Sequence, residues 1–277
     1  MIELGKYNIL RIVKILDFGA YLDGGNSGEI LLPARYVPES CKENDEIEVF
    51  IYLDSEDRLI ATTKHPYAQV GEFALLRVNA VNRYGAFLDW GLMKDVLVPF
   101  REQKVSMQQG RSYLVYLYVD NATKRIVASA KIEKFLDNTP PEYTQNEEVN
   151  LIIDRKTDLG YKVIINNLHS GIIYHNEIFC HLDKGSRLKG YIKNIRDDGK
   201  IDVSLQPLGY AKIDPLAQNI LSILTENGGS LPICDKSASE EITNYFSCSK
   251  KNFKKAIGAL YKERRISIYD DHIELKK

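Results

Sequence analysis

Up to Pro207, hydrophobic and polar residues alternate in short runs, and this pattern predicts β-strands rather than helices. Apolar positions indicate strands over residues 7–16 and 47–53. Gly19 ends the first of them, and a second strand at Tyr21-Leu22 precedes a turn at 23–28, while a turn at 54–57 follows the strand over 47–53. Five such strands fit within about sixty residues, which is the size of a closed five-stranded barrel of the OB type.

The strand pattern repeats along the chain. The segment 17–23, with an aromatic residue on each side of Gly19-Ala20, recurs around Gly85, which lies 66 residues after Gly19. A more diverged third copy has Gly160 in the equivalent place, 75 residues after Gly85. Repetition of one segment along a chain predicts an array of small structural units. We therefore predict three tandem OB-fold barrels, over residues 1–65, 66–137 and 143–208.

Beyond Pro207 the hydrophobic period changes from 2 to about 3.6, which predicts helices. The predicted elements are a helix between Asp214 and Asn227, a helix opened by the capping sequence 237–240, a helix over 249–262, and a hairpin over 266–275. This order predicts a winged helix-turn-helix domain over residues 212–277. The predicted fold class is mainly β, with a C-terminal α+β domain.

Charge and composition limit the kinds of partner that we expect for this protein. The net charge is −1, so a tight, sequence-blind grip on nucleic acid is not expected, and contacts must come from local patches and stacking. Residues 1–10 lack a signal-peptide pattern, and no apolar run approaches the roughly 20 residues that cross a bilayer. We therefore expect a cytoplasmic protein with no membrane partner. The scattered cysteines fit reduced thiols, and they are Cys41, Cys180, Cys234 and Cys248.

The sequence offers no catalytic motif. It has no Walker loop, no dinucleotide fingerprint and no nucleophile elbow. His169, His175 and His181 follow one another at intervals of six residues, which is not the spacing of a familiar zinc site. We expect no catalytic residue, no metal and no cofactor.

The repeated aromatic residues are the strongest candidates for a binding site. Phe18 and Tyr21 flank a glycine kink that can return both rings to one face of the barrel, and Tyr84 and Phe87 repeat the arrangement. Two rings on an outer barrel face make a platform for unpaired bases, each worth roughly 1–3 kcal/mol. The nearby cations that can meet phosphates are Lys14, Arg77 and Arg83. The alternative is that the rings only pack the end of the barrel.

The first two copies resemble the OB-fold RNA-binding domain of the ribosomal protein S-one type. That family has a phenylalanine-glycine-alanine-phenylalanine stretch, then an apolar segment ending in histidine, and a late hairpin whose last strand carries serine. The resemblance places Phe18, Tyr21, Tyr84 and Phe87 on the family's aromatic RNA-binding positions.

The histidine position departs from that family, because it holds Pro33, Pro99 and Tyr174 in the three copies. Losing the histidine removes a polar contact, so the expected RNA sites are modest. In the third copy Leu159 and Lys162 replace the aromatic pair. A site there would be rebuilt around Tyr161 and Tyr174.

The order of three barrels and a winged helix resembles the conserved virulence factor B family over nearly the full chain. This resemblance implies RNA binding in the cytoplasm, a regulatory effect on gene expression and no known catalytic activity.

The third helix of the winged domain is strongly basic. A basic third helix is where helix-turn-helix proteins contact nucleic acid, although a solvated face is often basic without binding anything. The candidate contact residues for nucleic acid or a partner are Lys250, Lys251, Lys254, Lys255, Arg264 and Arg265.

Three functions are compatible with these patterns. The first hypothesis is a non-catalytic cytoplasmic protein that stacks single-stranded RNA on barrels one and two, with phosphate contacts from the winged helix. The second is a scaffold whose diverged barrels bind a protein partner. The third is a DNA-binding regulator that contacts duplex nucleic acid through the winged helix.

Overall fold

The computed structural model describes residues 2–178, 181–207, 215–246 and 248–276. The predicted helix cap Asp214, Cys180 and the predicted domain limits at 208 and 212 lie outside these residues. The chain divides into two compact units, Met1–Leu205 and Gln206–Lys277. No helix among the described residues is long and apolar enough to cross a membrane.

Barrel one closes from five strands in the spatial order 1-2-3-5-4. Its strands are β1 (Tyr7–Leu16), β2 (Gly19–Asp23), β3 (Glu29–Pro33), β4 (Glu46–Leu53) and β5 (Leu59–Thr62). The strands pair antiparallel except β3 with β5, which run parallel where Leu31 meets Ile60. Alternation along β2 buries Ala20 and Leu22 and turns Tyr21 outward, as a strand period of 2 requires.

Barrels two and three repeat the same order of strands, so the prediction of three five-stranded barrels is confirmed. Barrel two consists of β6 (Phe73–Asn82), β7 (Gly85–Asp89), β8 (Val96–Pro99), β9 (Ser112–Val119) and β10 (Ile126–Ser129). Barrel three consists of β11 (Glu148–Lys156), β12 (Gly160–Ile165), β13 (His169–Tyr174), β14 (Arg187–Ile195) and β15 (Ile201–Ser204).

The first strand of every barrel carries a β-bulge at the same point. The register shifts between Ile12 and Lys14 in barrel one, and between Val78 and Ala80 in barrel two. Barrel three repeats the shift just before Arg155. A bulge bends a strand and increases its twist. It therefore sets the direction of the strand end that faces the aromatic segment.

The three barrels pack on one another within the first unit. Phe50 of barrel one joins the core of barrel two, where its ring lies 5.7 Å from that of Trp90. Phe73 of barrel two packs with Ile152 of barrel three, and its carbonyl accepts a 2.8 Å hydrogen bond from Arg187 Nη2. These shared cores fix where the barrel faces lie relative to each other.

A buried carboxylate closes the end of barrel two. Glu102 accepts a 2.6 Å hydrogen bond from the Ser129 hydroxyl and forms an ion pair with Lys134 at 3.2 Å. Burial on its own raises the pKa of Glu102, but the bonds from Ser129 and Lys134 outweigh it and hold that pKa below its ordinary value. Barrel three repeats the device with Glu177 and Ser204, whose side-chain oxygens are 3.1 Å apart.

The second unit is a winged helix, as predicted. Its elements are α1 (Pro215–Glu226), β16 (Ser230–Leu231), α2 (Ser239–Phe246), α3 (Lys250–Lys262), β17 (Ile266–Ile268) and β18 (Ile273–Leu275). The predicted hairpin becomes a three-stranded sheet, because β16 pairs with β18. At the start of α2 the capping carboxylate is Glu241 rather than the predicted Glu240, since Glu241 Oε2 accepts the Ala238 N–H at 3.2 Å.

Candidate nucleic-acid interface

Gly19 and Gly85 set the geometry of the two aromatic pairs. A Cβ at Gly19 would lie 2.2 Å from the Leu32 carbonyl oxygen, and one at Gly85 would lie 2.2 Å from that of Val98. Such a distance excludes any side chain, because non-bonded heavy atoms pack at about 3.5–4.0 Å. Each glycine therefore lets the strand turn tightly against the next strand. The residues on its two sides then lie close together.

The barrel-one pair forms an outward-facing platform. The Phe18 side chain is 56% exposed, and its ring lies 6.0 Å from that of Tyr21 in an edge-to-face arrangement. Lys14 Nζ sits 4.6 Å from the centre of the Tyr21 ring and 2.6 Å from Glu29 Oε2. The structure thus brings together the three residues predicted for this barrel, and Phe18 offers the more open ring.

The barrel-two pair also faces outward. Tyr84 is 58% exposed, and Phe87 projects from β7 between the buried Ala86 and Leu88. The Arg83 guanidinium lies 4.9 Å from the centre of the Tyr84 ring and donates a 2.8 Å hydrogen bond to its hydroxyl. The contact with Tyr84 therefore holds Arg83 beside the predicted aromatic pair.

Arg77 lies on the same outer face as Phe87. It pairs across the ladder with Asp89, which is two residues from Phe87 along β7 and so points the same way. The Arg77 side chain is exposed. Lys14 and Arg83 thus contact a ring of their aromatic pairs, whereas Arg77 shares only the outer face with Phe87.

A pocket of about 380 Å³ lies beside the barrel-two pair and is shared by two barrels. Barrel one contributes the β4–β5 hairpin, including Ser55 and Asp57. Barrel two contributes aromatic and apolar residues, two cations and one carboxylate, among them Tyr84, Phe87, Trp90, Lys94, Arg125 and Asp95. The volume falls within the range of small-molecule sites. No sequence pattern predicts this pocket, because it depends on how one barrel packs against the next.

Charges meet at the rim of this pocket. The Asp57 carboxylate contacts the Arg125 guanidinium, and its other oxygen lies 3.5 Å from Lys94 Nζ. The hydrogen bond from Arg125 holds the pKa of Asp57 below its ordinary value. Nearby, burial raises the pKa of Asp95, and the charge of Asp89 adds to this effect against the hydrogen bond from Asn79.

Barrel three arranges its residues differently. Tyr161 pairs with Ile173, a buried residue, and its ring packs against the barrel core. Tyr174 pairs with Gly160 and lies on the opposite face, so the structure does not bring the two tyrosines together. The Tyr174 hydroxyl accepts a hydrogen bond from Arg196, which also binds Asp202 at 2.8 Å. An ionic network thus surrounds Tyr174, which stands at the histidine position of the S-one-type family.

The solvent face of α3 presents a basic strip. Phe253, Ala256, Ile257 and Leu260 form the buried side of the helix. At 3.6 residues per turn the opposite side carries Lys251, Lys255, Gly258 and Lys262, and the lysines are exposed. A Cβ at Gly258 would meet nothing within 4 Å, so the backbone there is open to a partner. Lys262, which was not among the predicted contacts, belongs to this strip.

The other predicted cations of the winged helix have different positions. Lys250 Nζ donates to the carbonyl of Ser237 at 2.7 Å and so secures the loop before α2. Lys254 Nζ lies 3.7 Å from Asp235. Arg264 and Arg265 are exposed just past the end of α3, where Arg264 has a φ of +57°.

No cluster of three or more His, Cys, Asp or Glu side chains in the described ranges is placed to hold a metal ion. His169 is buried and bonded instead, with Nδ1 2.8 Å from the Tyr143 hydroxyl and Nε2 2.8 Å from the Thr139 carbonyl oxygen. This bonding gives His169 a structural role.

Comparison with known proteins agrees with this architecture. Residues 4–64 and 70–131 match the S1 domain, and residues 218–275 match the CvfB-like winged helix domain. The chain is 31% identical over 271 residues to uncharacterized protein YitL of Bacillus subtilis strain 168, covering 95% of this chain and 90% of the relative. It is 28% identical over 287 residues to conserved virulence factor B of Staphylococcus aureus strain N315, covering 99% and 94%.

A crystal structure from Streptococcus pneumoniae TIGR4, described as a multidomain protein with nucleic acid binding domains, covers 98% of this chain and 98% of its own. It is 25% identical in sequence, with a TM-score of 0.42.

Proposed function

This chain belongs to the conserved virulence factor B family, and we propose that it is a non-catalytic cytoplasmic protein that binds single-stranded RNA on barrels one and two. Two S1 domains and a winged helix indicate nucleic-acid binding. Binding to transcripts would give the protein its effect, which we place after transcription in the control of gene expression.

The observation that carries this proposal is the pair of outward rings on each of the two barrels. Phe18 with Tyr21, and Tyr84 with Phe87, stand at equivalent positions beside a glycine that admits no side chain. Phe18 and Tyr84 are more than half exposed, and exposed aromatic rings are what unpaired bases use for stacking. Duplexes hide the faces of their bases, so such platforms favour single strands.

The charge pattern supports stacking as the main contribution. With a net charge of −1, the protein has no overall basic field to hold a phosphate backbone. The cations near the rings are few, and Lys14 is already paired with Glu29. We therefore expect affinity that falls only gently with salt, since each neutralised phosphate of a single strand contributes a slope of about 0.7.

The test compares ring removal on each platform with ring removal elsewhere. Binding of fluorescein-labelled single-stranded RNA is measured by anisotropy for the wild type, Phe18→Ala/Tyr21→Ala and Tyr84→Ala/Phe87→Ala. Each lost stacking contact should weaken binding by roughly 5- to 150-fold, from about 1–3 kcal/mol per base. Tyr67→Ala is the matched control, because this tyrosine is also exposed but lies outside both platforms. Equal affinities for both double variants and the control would exclude the stacking proposal.

The winged helix supports a second candidate function, the binding of duplex nucleic acid. The observation in its favour is the strip of Lys251, Lys255 and Lys262 around an open glycine on the face opposite the core of α3. Replacing these three lysines with glutamine should weaken duplex binding and lower its salt slope by about 0.9 for each lost phosphate contact. Lys42→Gln, at an exposed lysine of barrel one, is the control. Competition between duplex DNA and single-stranded RNA for the wild type separates the two candidates, because distinct sites would not compete.

A further inference from the structure

The barrel-two platform is bordered by two cations that were not predicted from the sequence. Arg125 and Lys94 line the same pocket as Tyr84 and Phe87. Each of the two cations is paired with a carboxylate. Both point at Asp57, which reaches them from the β4–β5 hairpin of barrel one.

The contact between Arg125 and Asp57 joins barrel two to barrel one, whereas the equivalent arginine of barrel one pairs within its own barrel. Ile60 and Val127 hold equivalent positions, because each pairs with the third strand of its own barrel. Counting back two residues makes Arg58 the barrel-one equivalent of Arg125. Arg58 binds acidic residues of its own hairpin, with Asp54 at 2.8 Å. Arg125 instead binds a residue 68 positions away in the neighbouring barrel.

A carboxylate bound in this way resembles a phosphate. Carboxylate and phosphate groups both present two or more oxygens to the fork of a guanidinium, and arginine recognises either with the same donors. The Asp57 oxygens are shared between a guanidinium and an ammonium group at the rim of a pocket whose lining includes the rings of Tyr84 and Phe87. This is the combination of groups that a nucleotide needs, with rings for the base and cations for the phosphate.

We propose that Arg125 and Lys94 form a phosphate-binding subsite of the barrel-two platform, and that Asp57 of barrel one occupies this subsite until RNA displaces it. The subsite rests on the proposed function, since it adds a backbone contact to bases stacked on Tyr84 and Phe87. Lys94 also donates a 2.5 Å hydrogen bond to the Asp54 carbonyl, so it stays in place when Asp57 leaves. Arg125 is the cation that the exchange sets free.

The competition has a measurable size. Replacing Asp57 by Asn removes the competing charge and releases one or two cations to the RNA. Since each phosphate contact with a single strand adds a slope of about 0.7 in log affinity against log salt, binding near 0.15 M salt should tighten by roughly four- to fifteenfold. The salt slope should become steeper by about 0.7 to 1.4 in the same measurement.

The experiment uses the full chain and labelled single-stranded RNA over a range of salt concentrations. Asp57→Asn is suited to it, because Asp57 has a φ of +61° and asparagine tolerates that conformation well. Glu56→Gln is the matched control, since it removes the same charge from the adjacent, exposed residue, which binds Arg58. Thermal unfolding of each variant checks that the barrels remain folded.

Arg125→Ala and the double variant Asp57→Asn/Arg125→Ala complete a cycle. We expect Arg125→Ala alone to change affinity less than twofold, because Asp57 already holds that cation, and we expect the double variant to lose most of the gain. If Asp57→Asn binds no tighter than Glu56→Gln, or if the gain persists without Arg125, the competition does not exist. Those results leave the proposed function intact as long as Tyr84→Ala/Phe87→Ala still weakens binding. Absence of RNA binding by the wild type and by Asp57→Asn alike would overturn both proposals.

Discussion

The substitution Gly85→Ala tests whether close strand approach builds the barrel-two platform. A Cβ at this position would lie 2.2 Å from the carbonyl oxygen of Val98, a fully buried residue, and 3.0 Å from the Pro99 Cα. Both of these atoms belong to the backbone, so the clash cannot be relieved by rotation of a side chain. Strands β7 and β8 must separate by about 1.3 Å or more to restore an ordinary contact.

The cost follows from two contributions. Overpacking a closed core costs about 1–3 kcal/mol. The φ of +150° at Gly85 disfavours an L-residue and adds about 1–2 kcal/mol. Together they predict that Gly85→Ala lowers the free energy of unfolding of barrel two by about 2–5 kcal/mol. With a urea m-value of about 2 kcal/mol per M, the unfolding midpoint should fall by about 1–2.5 M.

Trp90 makes the assay specific to this barrel. It is the sole tryptophan of the chain, and it is 3% exposed in the barrel-two core, so its fluorescence reports urea unfolding there. Gly110→Ala is the control, because Gly110 also has a positive φ, +81°, but a Cβ there would meet only Arg77 Nη2 at 3.9 Å. The control isolates the backbone strain from the clash. A midpoint for Gly85→Ala at or above that of Gly110→Ala would refute the close-approach argument.

Further predictions concern other parts of the chain. Gly258→Ala should raise the thermal midpoint of the helical signal by stabilising α3 by about 0.5–1 kcal/mol, since the site is open and helical; a lower midpoint would mean that the strip has a close neighbour. Glu102 has a lowered pKa, so its contribution to stability is present above its ordinary pKa of 4.5 and is lost as the pH falls through the folded value. Glu102→Gln should therefore be less stable than wild type at neutral pH and lose less stability on acidification, as followed by Trp90 fluorescence; parallel pH curves would contradict this. Tyr174→Phe should cost about 1 kcal/mol by removing a hydroxyl that Arg196 binds, with RNA affinity unchanged; weaker RNA binding would return Tyr174 to the RNA site.

The barrels were predictable because their information is local. Alternation along β2 and β7 determines which residues face inward, and the glycine between the two aromatic residues marks the tight turn. The helices of the winged domain follow from spacing and caps in the same way. The short strand β16 was missed, since two residues carry no periodic signal and its pairing with β18 depends on the sheet.

In the third barrel, the structure does not bring together Tyr161 and Tyr174, the two residues predicted from the family resemblance to form a site. Tyr161 follows Gly160 directly and so takes the place of Ala86, a buried residue of barrel two. This position, directly after the glycine, can be read from the sequence and indicates that the Tyr161 ring points inward. The network of Tyr174, Arg196 and Asp202 was not indicated, because it joins two strands whose pairing is a property of the closed barrel.

The sequence by itself determined the elements, their repetition and the residues that each strand turns outward, because a strand's period and a glycine's freedom act over a few neighbouring positions. Only the tertiary structure decided that Asp57 would meet Arg125 and Lys94 beside Tyr84 and Phe87. That meeting depends on the packing of Phe50 and its hairpin into the core of barrel two. Contacts of this kind join residues far apart in the chain, so no local pattern records them.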